Sequence, residues 1–484
     1  MASHSAGVRP RAATFSRRAV IRSAATGAVL VGAGALGACG AGGPVPPSGG
    51  DDVDGGQEKT DENPFGVESG AALEVVVFAG GYGTEYAETH VEMYNRKWGP
   101  GARLTGTAKI ASTLQPRFAD GSPPGVVDNS GPDALPAAEL VADDRLADLA
   151  ALLDAPTVDD PDVTVADVLN PGVAEAGEFD GVVRELNYVF SMWGLWHSSS
   201  LFEEKGWSPA TTMDEFLVLC EEIAADGAMA PFTHSGVHTQ YMTQVMCQQA
   251  VKHGGREVLL KLDNLEPDAW TNDSMVQVAQ TWERVAKEGY INPAAAEQDH
   301  LTSQADWLAG RAAMIPCGSW LENEMKGQVP DGFGMVVQPM PSLTMSDAMP
   351  YQALGAGAGE PFVVPDDAAN RAGGFEYLRI MLSSEGTRTF ADQTGSLCAV
   401  RGAGDDLTDP SSALRSVAEA AREAGEDMFE IRFMDWYADL KSAARDATHN
   451  LLSGLMTSDQ YSSTMQQAVD TVAQDSSITK FKRV

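Results

Sequence analysis

Two stretches of this chain make the same transition, and that transition limits what the chain can fold into. Leu73-Glu-Val-Val-Val-Phe78 is a β-run, Ala79-Gly-Gly-Tyr-Gly83 is a turn, and residues 84–98 read as a helix. Residues 312–315 are again an apolar run of strand length, broken by Pro316 and Gly318. Ser319 follows with Glu322 three residues on, the spacing of a helix capping box. Strand, tight turn and helix in succession predict an α/β chain in which helices cover a sheet. A residue in such a turn sits at the carboxyl end of a strand, where open α/β sheets bind ligands. Tyr82 and Trp320 occupy these positions. From spacing alone, Trp320 is equally well read as a ring plugging the strand–helix corner, and Tyr82 as an exposed loop tyrosine.

The first turn mimics a dinucleotide fingerprint but fails it. Counting from Gly81, the third glycine is replaced by Tyr86, and no acidic residue ends a following strand at the expected distance. At 484 residues the chain is too long for one ordinary core, so two or more lobes are expected. It carries 33 Lys and Arg against 68 Asp and Glu. Such a field repels phosphate backbones and anionic membrane surfaces, which excludes nucleic acid as a partner and disfavours acidic ligands.

The N-terminus reads as an address. Ser16-Arg17-Arg18-Ala19-Val20-Ile21-Arg22 looks like a twin-arginine export signal, and residues 23–38 are mildly apolar and rich in Ala and Gly. Leu36-Gly37-Ala38-Cys39 resembles the cleavage site of bacterial lipoproteins. Residues 1–38 are therefore expected to be removed, Cys39 to be lipidated, and the lipid to be the membrane anchor. Residues 39–70 are rich in Gly, Pro, Ser and acidic side chains and predict a flexible tether. The expected location is extracytoplasmic. Cys220, Cys247, Cys317 and Cys398 would then meet an oxidising compartment, with three pairings or none open to them.

Within the body, Val126-Val127 is a short strand closed by Asp128 and Asn129. Residues 185–202 are strand-like and aromatic, including Tyr188, Trp193 and Trp196. Thr212 with Glu215 makes a capping box, and Phe216, Leu219, Cys220 and Ile223 form a helical stripe stopped by Gly227. Phe433, Trp436, Leu440, Ala443, Ala447 and Leu451 keep helical spacing as well. His234 and His238 are four apart, but Ser235-Gly236 between them argues for a loop rather than a metal-binding helix. No spacing nominates a catalytic group, a metal site or a cofactor. A glycoside hydrolase with its carboxylate pair hidden among many acids is the enzymatic alternative.

The block from Tyr188 through Phe216 resembles the extracellular solute-binding proteins of carbohydrate ABC importers: a strand, an aromatic stretch, Leu201-Phe202, the Gly206 turn, Pro209, then Thr212-x-x-Glu-Phe216. Ile315-Pro-Cys-Gly-Ser-Trp-Leu-Glu-Asn-Glu-Met325 and Pro361-Phe-Val-Val-Pro365 are similar to the actinobacterial branch that binds N-acetylglucosamine and N,N′-diacetylchitobiose. The resemblance implies a two-lobe, type II periplasmic-binding-protein-like α/β fold. Each lobe is a central sheet flanked by helices, with the ligand in the cleft between them. Lobe one would take 71–183 and 344–408, lobe two 184–343 and 409–484. It further implies a monomeric receptor without catalysis that hands a neutral saccharide to membrane permease subunits; another neutral oligosaccharide is the alternative ligand. Aromatic faces cover the apolar C–H faces of a pyranose and short polar side chains meet its hydroxyls. The expected binding residues are Trp320, Tyr241, Gln240, Tyr82, Trp193, Asn129, Asp128 and Trp436. Trp282 is expected in the core, and core is favoured for Trp207, Trp270 and Trp307.

Overall fold

The computed structural model describes residues 53–483, apart from 81, 132, 406 and 408. The export signal and Cys39 lie outside the described residues. The strands in chain order are β1 (Leu73–Phe78), β2 (Ala102–Thr107), β3 (Val126–Asp128), β4 (Glu178–Phe179), β5 (Val182–Val183), β6 (Leu186–Ser198), β7 (Ala230–Phe232), β8 (Ala312–Gly318), β9 (Met335–Gln338), β10 (Leu354–Val363), β11 (Leu397–Cys398) and β12 (Met428–Phe429). β1 pairs in parallel with β2 and β3, as strand–helix–strand units require. β7 pairs in parallel with β8 in the second lobe.

Two long strands join these sheets. β6 runs for 13 residues; Leu186–Met192 pair with β10, and Trp193–His197 pair with β8, both antiparallel. β10 in turn pairs with β3. The cores divide accordingly. One gathers Val75, Val77, Tyr86, Tyr188, Phe362, Phe375 and Phe390 around β1. The other gathers Phe216, Phe232, Met246, Trp270, Trp282, Phe433 and Tyr461. This is the two-lobe fold anticipated from the sequence, with β6 and β10 as crossing strands.

Local rules explain the helices that hold each lobe. Thr212 and Glu215 form the expected reciprocal capping box of helix Met213–Asp226, and Gly227 ends it with φ +72°. Trp270, Trp282 and Trp307 are fully buried, and Trp207 packs half-buried on the lobe-two core.

Four local expectations are corrected. Residues 53–70 are not tether: Val53, Phe65 and Val67 are buried in lobe one, Phe65 lies 5.5 Å from Phe375, and Lys97 and Arg379 both donate to the Glu62 carbonyl. Apolar side chains at positions 53, 65 and 67 outweigh the polar composition around them. Residues 344–353, expected in lobe one, pack on lobe two; the buried Lys252 ammonium donates to the carbonyls of Met340 and Tyr351. Ser319 does not cap a helix. The helix after it spans only Leu321–Glu324, and Ser319 instead exchanges hydrogen bonds with Met192 on β6. The stripe 433–451 breaks at Tyr437, whose extended backbone separates helices Phe433–Trp436 and Ala438–Leu452. All four described cysteines are buried free thiols. His234 and His238 lie in a loop.

Candidate functional site

The site lies where β6, β8 and β10 meet. β8 ends at Gly318, which pairs with Trp193 on β6. The Trp320 indole folds back over Gly318 so closely that a Cβ there would lie 2.1 Å from the ring. Only glycine leaves that space. Trp320 and Trp193 meet edge to face at 4.7 Å, Trp193 and Tyr241 at 4.8 Å, and Tyr241 and Trp320 at 6.0 Å. All three rings are half-buried. Edge-to-face packing fixes each ring by its neighbours. The ring path continues outward, with His238 and His300 each 6.4 Å from Tyr241.

Beside the rings is a cavity of about 250 Å³, lined by Ser191 and Trp193 of β6, Gln240, Tyr241 and Gln244 of helix Gln240–Gly254, residues 356–359 of β10, and Glu430, Ile431, Met434, Asp435 and Lys441. Gly357 faces the Glu430 carboxylate, and a Cβ there would approach it to 2.3 Å. Burial pushes the Glu430 and Asp435 carboxyls above the usual range, opposed by Arg432 in both cases. Tyr82 reaches the site from lobe one through Ser191, which lines the cavity: it is half-buried, its hydroxyl lies beside Ser191 and Ser396, and its ring is 5.8 Å from Phe390. Ser396 also accepts from the Asn323 amide at 2.8 Å, so the turn carrying Trp320 touches lobe one directly.

The structure thus brings together Trp320, Trp193, Tyr241, Gln240 and Tyr82. It does not bring in the other three. Asn129 is buried, and its amide is committed at both ends to the Leu135 backbone, at 2.7 and 3.1 Å. Asp128 is also buried; it accepts from the Phe78 N–H at 3.1 Å and from the Ser130 hydroxyl. Burial and the neighbouring Glu360 hold the Asp128 carboxyl well above its ordinary range. These polar groups close the end of β3 internally, which the sequence position could not reveal. Trp436 stacks on Phe481 at 5.4 Å with Arg432 over it, while its neighbours Met434 and Asp435 line the cavity. The break at Tyr437 turns the indole toward the C-terminal tail.

Sequence reasoning missed Gln244, Ser191, Ile431 and Met434. Gln244 had a signal, since it lies one helical turn beyond Gln240. Ile431 and Met434 reach the cleft only through long-range packing. Glu360 was also missed. It sits between Gly359 and Pro361 on β10 with φ +55°, a left-handed backbone that costs a non-glycine residue about 1–3 kcal/mol. Among the described residues no group of His, Cys, Asp and Glu side chains is arranged to hold a metal.

Comparison with known proteins places this geometry. A family model of the bacterial extracellular solute-binding proteins matches residues 101–413. The chain belongs to that family. It is 34% identical over 427 residues to the diacetylchitobiose binding protein NgcE of Streptomyces coelicolor, covering 88% of this chain and 90% of that one. In fold it is similar to a chitin oligosaccharide binding protein, with TM-score 0.59 at 18% identity, covering 81% of this chain and 95% of that one. It is also similar to apo RafE of Streptococcus pneumoniae, with TM-score 0.64 at 16% identity over 83% and 98%. Family membership places the chain outside the cytoplasm. Among the described residues no helix is long and apolar enough to cross a membrane.

Proposed function

We propose that this chain is the capture subunit of an ABC importer and holds N,N′-diacetylchitobiose or N-acetylglucosamine between its lobes. The observation that carries the proposal is the Trp193–Tyr241–Trp320 ring cluster beside a cavity walled by both crossing strands. Ring faces suit the C–H faces of pyranoses, and the cavity's amides and hydroxyl suit their polar rim. The likeness to NgcE, a diacetylchitobiose binding protein, directs the reading to acetylated sugars. The acidic chain favours a neutral ligand over sialic or uronic acids.

Contacts from both lobes exist together only when the cleft is closed, so ligand binding drives closure rather than chemistry. In this reading the closed monomer docks on permease subunits, and a lipid on Cys39 keeps it at the membrane. In this reading the sugar leaves unaltered. Equilibrium dialysis against a mixture of chito-oligosaccharides, followed by mass spectrometry of the retained fraction, tests this. Stoichiometric retention of intact acetylated sugar is expected. Accumulation of shortened products would replace the receptor with a hydrolase.

A further inference from the structure

Gln244 is 9% exposed, lines the cavity, and makes no side-chain hydrogen bond within the described residues. One turn earlier on the same helix face, the side-chain oxygen of Gln240 is buried and also lacks a partner. A buried acceptor without a partner is costly, so the Gln240 oxygen, with the Gln244 amide opening on the same cavity, calls for a ligand that completes it. Gln249 on the same helix is engaged at both ends, accepting from the Trp282 indole and donating to the Pro341 carbonyl.

The lining of the cavity narrows the ligand chemistry. A glutamine amide offers one donor group and one acceptor, and a secondary amide offers the complementary pair. Ile431 and Met434 line the same cavity and present apolar surface for a methyl group. A carboxylate there would meet two carboxyl groups, Glu430 and Asp435, against one ammonium, Lys441. A bare hydroxyl would satisfy one amide and leave the apolar wall empty. We infer that Gln240 and Gln244, with Ile431 and Met434, form the subsite that reads the acetamide of the bound sugar. The inference rests on the acetylated-sugar reading above and adds the residues that enforce it.

The test compares N,N′-diacetylchitobiose with cellobiose, which keeps the β-1,4-linked rings and replaces each acetamide by a hydroxyl. Calorimetric titration of the wild-type chain is expected to show a strong preference for the acetylated sugar. In Gln244→Leu, diacetylchitobiose should weaken at least tenfold and cellobiose by much less, so that the preference collapses. The thermal midpoint should not fall, because the amide makes no bond within the fold to lose; a merely structural glutamine would lower it. Gln244→Glu keeps the shape without the amide donor, and provides the same readout if the leucine variant does not fold. A preference retained in both variants overturns the subsite assignment. Wild-type chain that binds cellobiose as tightly as diacetylchitobiose overturns the ligand reading itself, and the wild-type titration shows this before any variant is made.

Discussion

Gly318→Ala isolates the placement of the Trp320 indole without removing it. An added Cβ would lie 2.1 and 2.2 Å from two ring carbons, whereas ordinary contact begins at 3.4 Å, so the ring must retreat by about 1.3 Å. It has little room, because Trp193 and Tyr241 pack around it at 4.7 and 6.0 Å. Overpacking of this kind costs about 1–3 kcal/mol. Part of that falls on the free protein and part on a ligand that stacks on the displaced ring. We expect diacetylchitobiose to weaken by about 1–2 kcal/mol, roughly five- to thirtyfold in Kd, by calorimetric titration. Trp320→Ala should cost about 2 kcal/mol or more, the range of a buried aromatic anchor. The two should not add: once the indole is gone, the three ring carbons nearest the methyl go with it, and Gly318→Ala should have little further effect. Unchanged affinity in Gly318→Ala, or an equal loss in the Trp320→Ala background, would refute the argument that this glycine sets the ring.

Burial pushes the Glu185 carboxyl up to about 7, from 4.5, with no cation beside it. Its folded state favours the protonated form, so stability is fully present below about pH 4.5 and is lost as pH rises through about 7. Glu185→Gln should therefore be more stable than wild type at pH 8, by up to about 3 kcal/mol, and indistinguishable at pH 4; equal melting temperatures at pH 8 would contradict this. Closure about β6 and β10 predicts a smaller radius of gyration by small-angle scattering with saturating diacetylchitobiose, and an unchanged radius counts against a closing receptor. Cys39→Ala should release the protein from the membrane fraction, and firm retention would sink the lipid anchor.

Much of the architecture was legible because strand–turn–helix units advertise themselves locally. The 73–98 stretch, the strand at 312–318, the Thr212 capping box and the Gly227 stop depend on neighbours within a few residues. The ring cluster was partly legible for the same reason, since Trp320 follows a strand end and Trp193 lies in an aromatic strand. What stayed hidden depends on distant partners. Asn129 and Asp128 sit at a strand terminus, as binding residues do, yet Leu135, Phe78 and Ser130 satisfy them. Trp436 keeps helical spacing, but the break at Tyr437 aims it at Phe481. Residues 53–70 have a tether's composition, and only three apolar side chains among them decide that the segment packs.

In the proposed function the cleft captures an acetylated amino sugar. Calorimetric titration of the purified protein against N,N′-diacetylchitobiose, N-acetylglucosamine, cellobiose, maltose and glucose tests it most directly. Saturable one-to-one binding of diacetylchitobiose or N-acetylglucosamine, at least tenfold tighter than any unacetylated sugar, is the predicted result. Tight binding of maltose or cellobiose with none of the acetylated sugars would contradict it.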